Sequence, residues 1–160
     1  MALPDDLMLC VPLYFSNASL LVLWRLGIFG RLPVFKSRLM SRPISEELFG
    51  KVRTLQGVLY VTLATAAGYL ILLGRPLLLP GLLMAACMLA NSFTKRRLGL
   101  KWGAPFPPFD QLDFLAGGLA GLYLSGIQVG SLLLIVPFTF FLHLGGNMIA
   151  YKLGLKDVWW

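Results

Sequence analysis

The chain contains few charged residues. Of its 160 residues only 13% are charged and only 7 are acidic, whereas 58% are hydrophobic and the mean hydropathy is +0.77. Ordinary soluble domains carry about 25% charged residues, so this composition excludes that class. It indicates an integral membrane protein.

Cysteine and the marks of a signal peptide are scarce as well. The 2 cysteines, Cys10 and Cys87, both lie within apolar runs, so we expect single buried thiols rather than a metal pair or a disulfide framework. The first ten residues contain Asp5 and Asp6 but no Lys or Arg, whereas a cleavable signal peptide begins with a basic region. The amino end is therefore predicted to stay attached and to lie outside.

Five apolar stretches indicate membrane helices. They are Leu7–Trp24, Leu55–Leu73, Leu77–Ala90, Phe114–Leu124 and Ser131–Tyr151. The third and fourth are shorter than the ~20 residues that cross a bilayer, so we expect each to be extended by the polar residues at its cytoplasmic end. The prediction is an all-α integral membrane protein of about five transmembrane helices, forming a single domain over residues 1–160.

Lysine and arginine are distributed unevenly among the connections. Seven lie within Arg25–Arg53, four within Lys95–Lys101 and two at Lys152 and Lys156, whereas only Arg75 lies on the other side. Positive residues favour the cytoplasmic side, so the amino terminus is predicted outside and the carboxyl terminus in the cytoplasm. This bias and contact with anionic membrane lipids explain the net charge of +7, so no nucleic-acid partner is invoked.

Two further patterns concern the membrane surface and helix packing. The connection Arg25–Arg53 mixes apolar and basic residues and is expected to lie in the headgroup layer. Small residues at helical spacing predict close helix packing, either within one chain or in a possible homodimer. These are Gly117 with Gly121, Ala64 with Gly68, and the pair Gly145-Gly146.

Polar and basic residues cluster at the end of the third apolar run. Asn91 and Lys95 lie one helical turn apart, and Ser92 and Arg96 occupy the next stripe, followed by Arg97. Together they could present an amide, a hydroxyl and cations to one ligand. A Lys-Arg-Arg triplet at a cytoplasmic helix end is also what topology alone selects, but the carboxylates across the next loop favour a site.

Those carboxylates follow a Gly/Pro-rich loop whose Lys101 could reach a phosphate. Asp110 and Asp113 share a helix face, and Asp113 lies deeper, where an uncompensated carboxylate costs ~2.5–3.5 kcal/mol. A shared Mg²⁺ would satisfy both. The structural alternatives are helix capping by the first carboxylate and an ion pair of the second with Lys95 or Arg96. A cationic cluster facing two carboxylates suits a site for a polyphosphate and its divalent metal.

The last span carries a polar stripe, formed by His143, Asn147 and Tyr151. Such a stripe is expected to face the bundle interior. It either packs helices through hydrogen bonds or brings His143 or Asn147 to a nucleotide or metal. Gln111, beside Asp110, is a further candidate for nucleotide binding.

Several blocks of the chain resemble the CDP-archaeol synthase family. They are Asn91-Ser-Phe-Thr-Lys-Arg-Arg-Leu-Gly, Pro105-Phe-Pro-Pro-Phe-Asp-Gln-Leu-Asp-Phe and the end from His143 through Asn147-Met-Ile-Ala-Tyr-Lys-Leu-Gly-Leu-Lys-Asp-Val-Trp. The chain is also similar to the phosphatidate cytidylyltransferases, whose signature ends in an Asp-rich segment. With the Pro12-Leu-Tyr-Phe-Ser-Asn-Ala block, the resemblance covers most of the chain.

The resemblance implies five spans, a cytoplasmic active site in the plasma membrane, and transfer of the cytidylyl group of CTP to a lipid phosphate with Mg²⁺, which yields a CDP-lipid and diphosphate. On this basis Asp110 and Asp113 are assigned to the metal and, with Lys95, to catalysis. Nucleotide binding is assigned to Asn91, Ser92, Lys95, Arg96, Arg97, Lys101, Gln111 and Asn147.

One segment departs from the family. Its members usually show a Gly-Lys-Thr-Trp-Arg-Gly type of segment, whereas this chain reads Arg53-Thr54-Leu55-Gln56-Gly57, without the Trp and the second cation. The lipid substrate is therefore left open between an archaetidic acid-like ether lipid, phosphatidic acid and another lipid phosphate. The Asp-Gly-x-x-Ala-Arg pattern of the CDP-alcohol phosphotransferases is absent. A small transporter or a structural membrane subunit is the non-enzymatic alternative, and it leaves the clustered cations and carboxylates unexplained.

Overall fold

The computed structural model describes residues 3–28, 41–50, 53–101 and 104–155. Within these ranges the chain forms five α-helices, and the only β-type pairing is an isolated antiparallel bridge between Pro43 and Thr54. The helices are α1 (Leu3–Arg25), α2 (Leu55–Leu73), α3 (Leu78–Arg97), α4 (Phe109–Leu124) and α5 (Leu132–Lys152). The all-α prediction is confirmed. Residues 29–40, the middle of the connection expected at the membrane surface, and Lys156 in the tail lie outside the described residues.

Four of these helices are long and apolar enough to cross a membrane, namely α1, α2, α3 and α5. The fourth helix in the chain, α4, has only 16 residues. As expected from the sequence, α3 continues through the polar residues to Arg97 and α4 already begins at Phe109. A multi-pass membrane protein follows from these lengths, whereas a crossing by α4 stays a prediction.

Close helix packing occurs where the sequence places glycine. A Cβ at Gly117 of α4 would clash with the carbonyl group of Leu83 in α3, and a Cβ at Gly121 would clash with the backbone of Pro80. Gly68 of α2 similarly faces a proline of α1, at 2.8 Å from the position of a Cβ. These small residues therefore pack helices within one chain.

The last helix, α5, is packed less closely. In the most apolar 18-residue stretch of α5 only 11% is buried, whereas 28–33% is buried in the corresponding stretches of α1, α2 and α3. Among the described residues nothing approaches a Cβ position of Gly145 or Gly146 within 4 Å, so the close packing expected at this pair is not found within the chain. Most of the surface of α5 is thus available to membrane lipid.

Two hydrogen bonds fasten the first half of α5 to α1. The fully buried carboxylate of Asp6 accepts a bond from the Ser131 N–H at 2.9 Å, where the helix dipole also favours a negative charge. Further along, the hydroxyls of Tyr14 and Thr139 are 2.7 Å apart. The sequence had indicated Asp6 only as evidence against a signal peptide, whereas the structure makes it an anchor.

The apolar core lies mainly among α1, α2, α3 and α4. Its buried side chains include Leu13, Val61, Tyr69, Met84, Leu115 and Leu122. Cys10 is buried and Cys87 is half-buried, and both are free thiols, as expected. Helices α1, α3 and α5 end, and α2 and α4 begin, at one end of the bundle, which we call the basic end because it carries Arg25, Arg53, Lys95 and Lys152.

Candidate active site

A cavity of about 800 Å³ lies near the basic end, among all five helices. Its charged and polar lining includes Arg53, Lys95, Asp110, Asp113, His143 and Asn147. The rest of its wall is largely aliphatic and comes mainly from α1, α2 and α5, with Leu20, Val61, Leu142 and Ile149 among its side chains. The cavity therefore joins a charged region to an apolar one.

The two carboxylates are held together by Asn91. Its Nδ2 group donates to Asp110 Oδ1 and to Asp113 Oδ2, both at 2.9 Å. A primary amide has two N–H bonds, and both are used here. The carboxylate pair that the sequence places on one face of α4 is thus fixed by a single side chain of α3.

Lys95 neutralises Asp110. Its Nζ lies 2.8 Å from Oδ2 and 3.0 Å from Oδ1 of Asp110, and the two side chains are only 13% and 28% exposed. The Phe106 N–H also donates to Asp110 Oδ2 at 2.9 Å, so this carboxylate anchors the loop before α4. Among the described residues Lys95 thus pairs with Asp110, the carboxylate nearer the helix start, rather than with Asp113.

The cation whose charge acts on Asp113 is Arg53, which lies directly before the N-cap of α2. Its Nε donates to Ser92 Oγ at 2.8 Å, and Ser92 in turn donates to the Met88 carbonyl oxygen at 3.0 Å. Burial lowers the pKa of the Arg53 guanidinium, while the charges of Asp113 and Asp110 raise it. Arginine remains protonated under such opposing effects. Ser92, assigned above to the nucleotide, therefore orients a cation.

Arg53 is a site residue that the sequence does not indicate. The depth of Asp113 predicts a positive neighbour, but the sequence suggests Lys95 or Arg96 for that place. The signal that points to Arg53 is its place in the segment that departs from the family, directly before the apolar run of α2. Gln56, another residue of that segment, is buried and also lines the cavity.

Three predicted cations do not line the cavity as the described residues define it. Arg97 lies over the Phe93 ring, 5.0 Å from its centroid. Arg96 donates to the Lys101 carbonyl oxygen at 3.4 Å, and Lys101 itself is exposed. Their assignment to the phosphates of a nucleotide stays a prediction.

The polar stripe of α5 divides between two roles. His143 and Asn147 line the cavity, whereas Tyr151 is 48% exposed and lies outside that lining. The His143 ring packs edge-on against Phe114, and its Nδ1 lies 3.2 Å from the Gln111 carbonyl oxygen. His143 therefore also joins α5 to α4. The Gln111 side chain is buried and does not belong to the described cavity lining.

Of the two carboxylates, Asp113 keeps the oxygen lone pairs that a magnesium ion would take. Among the described residues no three His, Cys, Asp or Glu side chains converge, but Mg²⁺ is commonly held by one or two carboxylates together with substrate phosphates and waters. The two oxygens of Asp113 accept hydrogen bonds from Phe114 and Asn91, at 2.7 and 2.9 Å, and keep further lone pairs for another ligand. Asp110 has its oxygens engaged by Lys95.

Comparison with known proteins points to one family. The family model for CarS-like CDP-archaeol synthase matches residues 47–160. The chain is 34% identical to the CDP-archaeol synthase of Thermococcus onnurineus, over 94% of this chain and 92% of that protein. It is 35% identical to the CDP-archaeol synthase of Aeropyrum pernix, over 98% of this chain and 91% of that protein.

Similarity is higher over a shorter region. The CDP-archaeol synthase of Methanocaldococcus jannaschii is 54% identical over 71 residues, which make up 44% of this chain and 40% of that protein. The chain thus matches less than half of the length of that relative. No solved structure matches this chain.

Proposed function

The chain belongs to the CDP-archaeol synthase family, a family of enzymes, and from that premise we propose that it transfers the cytidylyl group of CTP to a lipid phosphate, giving a CDP-lipid and diphosphate. One observation carries the proposal. A carboxylate pair bridged by Asn91 lies beside Lys95 and Arg53, at the charged part of a cavity whose remaining wall is apolar. The charged cluster suits the phosphates of a nucleoside triphosphate, and the apolar wall suits the hydrocarbon chains of a lipid.

In the proposed reaction an oxygen of the lipid phosphate attacks the α-phosphorus of CTP in line. A new P–O bond forms, the bond to the β-phosphate breaks, and diphosphate leaves. Lys95 and Arg53 neutralise charge on the phosphates, and Ser92 keeps the Arg53 guanidinium oriented. No side chain has to act as a covalent nucleophile, because the attacking phosphate is already anionic.

We assign Mg²⁺ to the carboxylate pair. Asp110 and Asp113 would hold it, and the bound ion would neutralise charge on the triphosphate and on the leaving diphosphate. Asn91 keeps the two carboxylates side by side from α3. Arg96, Arg97 and Lys101 add positive potential at the same end of the bundle and would attract the nucleotide.

We further propose that the basic end faces the cytoplasm, with the amino terminus outside, in the plasma membrane. The distribution of the cations among the connections supports this orientation. Single cysteines near Lys101 should react with a membrane-impermeant reagent only from the cytoplasmic side, and one near Arg75 only from outside. Labelling of the Lys101 region from outside would contradict the site assignment, since CTP is cytoplasmic.

The non-enzymatic alternatives, a small transporter or a structural subunit, are not favoured, because the chain belongs to an enzyme family. A homodimer stays a prediction. The two glycine contacts of α4 give it no support, since they face α3 of the same chain.

The test of the function is direct. The purified chain, reconstituted in lipid, is incubated with labelled CTP, Mg²⁺ and a panel of lipid phosphates, and labelled CDP-lipid and diphosphate are measured. Formation of both products in equal amounts is expected, with ATP as a poorer donor. A folded protein that neither binds CTP nor labels any lipid would overturn the proposal.

A further inference from the structure

Gln56 is a largely buried residue whose amide lacks a partner among the described residues. It lies in the first turn of α2, is only 7% exposed and lines the cavity. Its side chain forms no hydrogen bond with any residue in the part of the chain that the structure describes. Its amide atoms are not among the fully buried polar atoms of the described residues, so the amide is accessible from the cavity and can bond to a ligand there.

Along the chain, Gln56 lies between residues of the charged part and of the apolar part of the cavity. Arg53, three residues earlier, belongs to the charged part, and Val61, five residues later, belongs to the apolar wall. Leu20 of α1 and Val58 of α2 are further aliphatic residues of the cavity lining.

The cavity is lined by a second amide side chain that lacks a hydrogen bond within the described residues. Asn17 of α1 is half-buried and lines the cavity, and its side chain forms no hydrogen bond among the described residues. It lies about one helical turn from Tyr14, which also lines the cavity and is bonded to Thr139. Two neutral amides therefore face the cavity outside its charged cluster.

We propose that Gln56 recognises the oxygen atoms that join the hydrocarbon chains to the backbone of the lipid phosphate, with Asn17 as a second contact. The inference rests on the proposed function, since it takes the phosphate of this lipid to lie beside Arg53. In a glycerol lipid phosphate the linkage oxygens lie between the phosphate and the chains, as Gln56 lies between Arg53 and Val61. A neutral amide donates to an ester carbonyl or ether oxygen without the desolvation cost of a charge.

A cytosine base also presents groups that an amide can bind. The neighbours of Gln56 favour the lipid, because Val58 and Val61 on α2 and Leu20 on α1 are aliphatic side chains of the same cavity. These provide a surface for hydrocarbon rather than a planar slot for a base. The two ligands give different results in the experiment below.

The experiment compares Gln56→Met with the wild type and with Gln128→Met, a matched control in an exposed position outside this cavity. The kcat/KM at saturating CTP is measured for a diacyl glycerol phosphate, a dialkyl glycerol phosphate and a single-chain alkyl phosphate without linkage oxygens. Gln56→Met should lower kcat/KM for the glycerol lipids about tenfold and should affect the alkyl phosphate less. Loss with the diacyl lipid alone identifies ester carbonyls as the bonded atoms, and loss with both identifies the linkage oxygens that they share.

Thermal unfolding with and without each lipid is measured in parallel. Without lipid, Gln56→Met should be no less stable than the wild type, because the amide has no hydrogen bond within the described residues that the change could remove. The stabilisation by glycerol lipid phosphates should shrink relative to that by the alkyl phosphate. This measurement needs no turnover, so it tests the inference even if the wild type transfers no cytidylyl group, which would contradict only the proposed function.

Two results would overturn the inference. One is an unchanged preference among the three lipids in Gln56→Met, in both kcat/KM and stabilisation. The other is a raised KM for CTP with unchanged lipid preference, which would assign the amide to the cytosine instead.

Discussion

Helices α4 and α5 differ in almost every respect that matters to the site. The shorter helix, α4, has 16 residues and buries seven of them, including Phe114, Gly117 and Gly121. The longer helix, α5, has 21 residues and buries only Ile135, Thr139 and Ala150. Helix α4, which is not among the four candidate membrane spans, is thus packed more deeply in the core than α5.

This difference follows from what each helix carries. Asp110 and Asp113 require partners at fixed distances, and those partners, Asn91 and Lys95, are on α3. Glycines in α4 let its backbone approach α3, which keeps the carboxylates within reach. The other helix contributes one wall of the cavity, for which hydrogen bonds at a few points are sufficient. Substitutions in the two helices and in the site can test this contrast.

Replacing Asp113 with Asn should cause the largest loss. The change preserves shape but removes the charge that the site presents to a metal, so turnover should fall by ~10²–10³. Burial of a neutral amide is easier than burial of a carboxylate, so the variant should stay folded and inserted. Turnover per folded molecule is the measurement, with the exposed Glu46→Gln as control. Activity above about a tenth of the wild type would argue against a role in metal binding.

Within the basic residues, position in the cavity should determine the effect. Lys95→Ala and Arg53→Ala should each weaken binding of CTP with Mg²⁺ by roughly ten- to a hundredfold, since charge-assisted contacts contribute ~1.5–3 kcal/mol. Arg97→Ala removes a cation that stacks on Phe93 and should have a smaller effect. Calorimetric titration of each variant separates the cases. Equal losses of CTP affinity in the three variants would mean that these cations act through their summed positive potential rather than through direct contacts.

Glycine substitutions test whether α4 is packed more closely than α5. Gly117→Ala places a Cβ against the Leu83 carbonyl group and should lower the free energy of unfolding by ~1–3 kcal/mol. Gly145→Ala meets no atom within 4 Å among the described residues and should be neutral, or stabilising by ~0.5–1 kcal/mol through the lower helix cost of Ala. Unfolding in the same detergent gives both values. A reversed order would show that α5, not α4, is the closely packed helix.

The smallest effect is expected at the attachment of α5. Tyr14→Phe removes the hydrogen bond to Thr139, whose hydroxyl keeps its bond to the Ile135 carbonyl oxygen at 2.7 Å. The loss should be ~0.5–1.5 kcal/mol in the free energy of unfolding. Tyr123→Phe, at an exposed position, is the control and should have no effect. A loss larger than that of Gly117→Ala would mean that α5 depends on this one bond.

The sequence was sufficient for the helices and for one side of the site. The apolar runs located all five helices, and the spacing of Asn91 with Lys95 and of Asp110 with Asp113 predicted which side chains share a helix face, because helical periodicity is local. The hydrogen bonds of Asn91 to both carboxylates were not predicted, since they join two helices. Arg53 could not be found in this way, since its contact with Ser92 joins residues 39 apart. The buried Asp6 was missed for the same reason, because its partner Ser131 is 125 residues away.

The formal charges of the site cancel before any substrate enters. Arg53 and Lys95 contribute two positive charges, and Asp110 and Asp113 contribute two negative ones, in surroundings that are largely shielded from water. Such electroneutrality keeps the resting protein stable, because no net charge has to be held in a medium of low polarity. A nucleoside triphosphate that bound without a cation would therefore give the site a net negative charge. The incoming nucleotide has to bring its own counter-charge, so its affinity should rise with the concentration of the divalent cation that accompanies it.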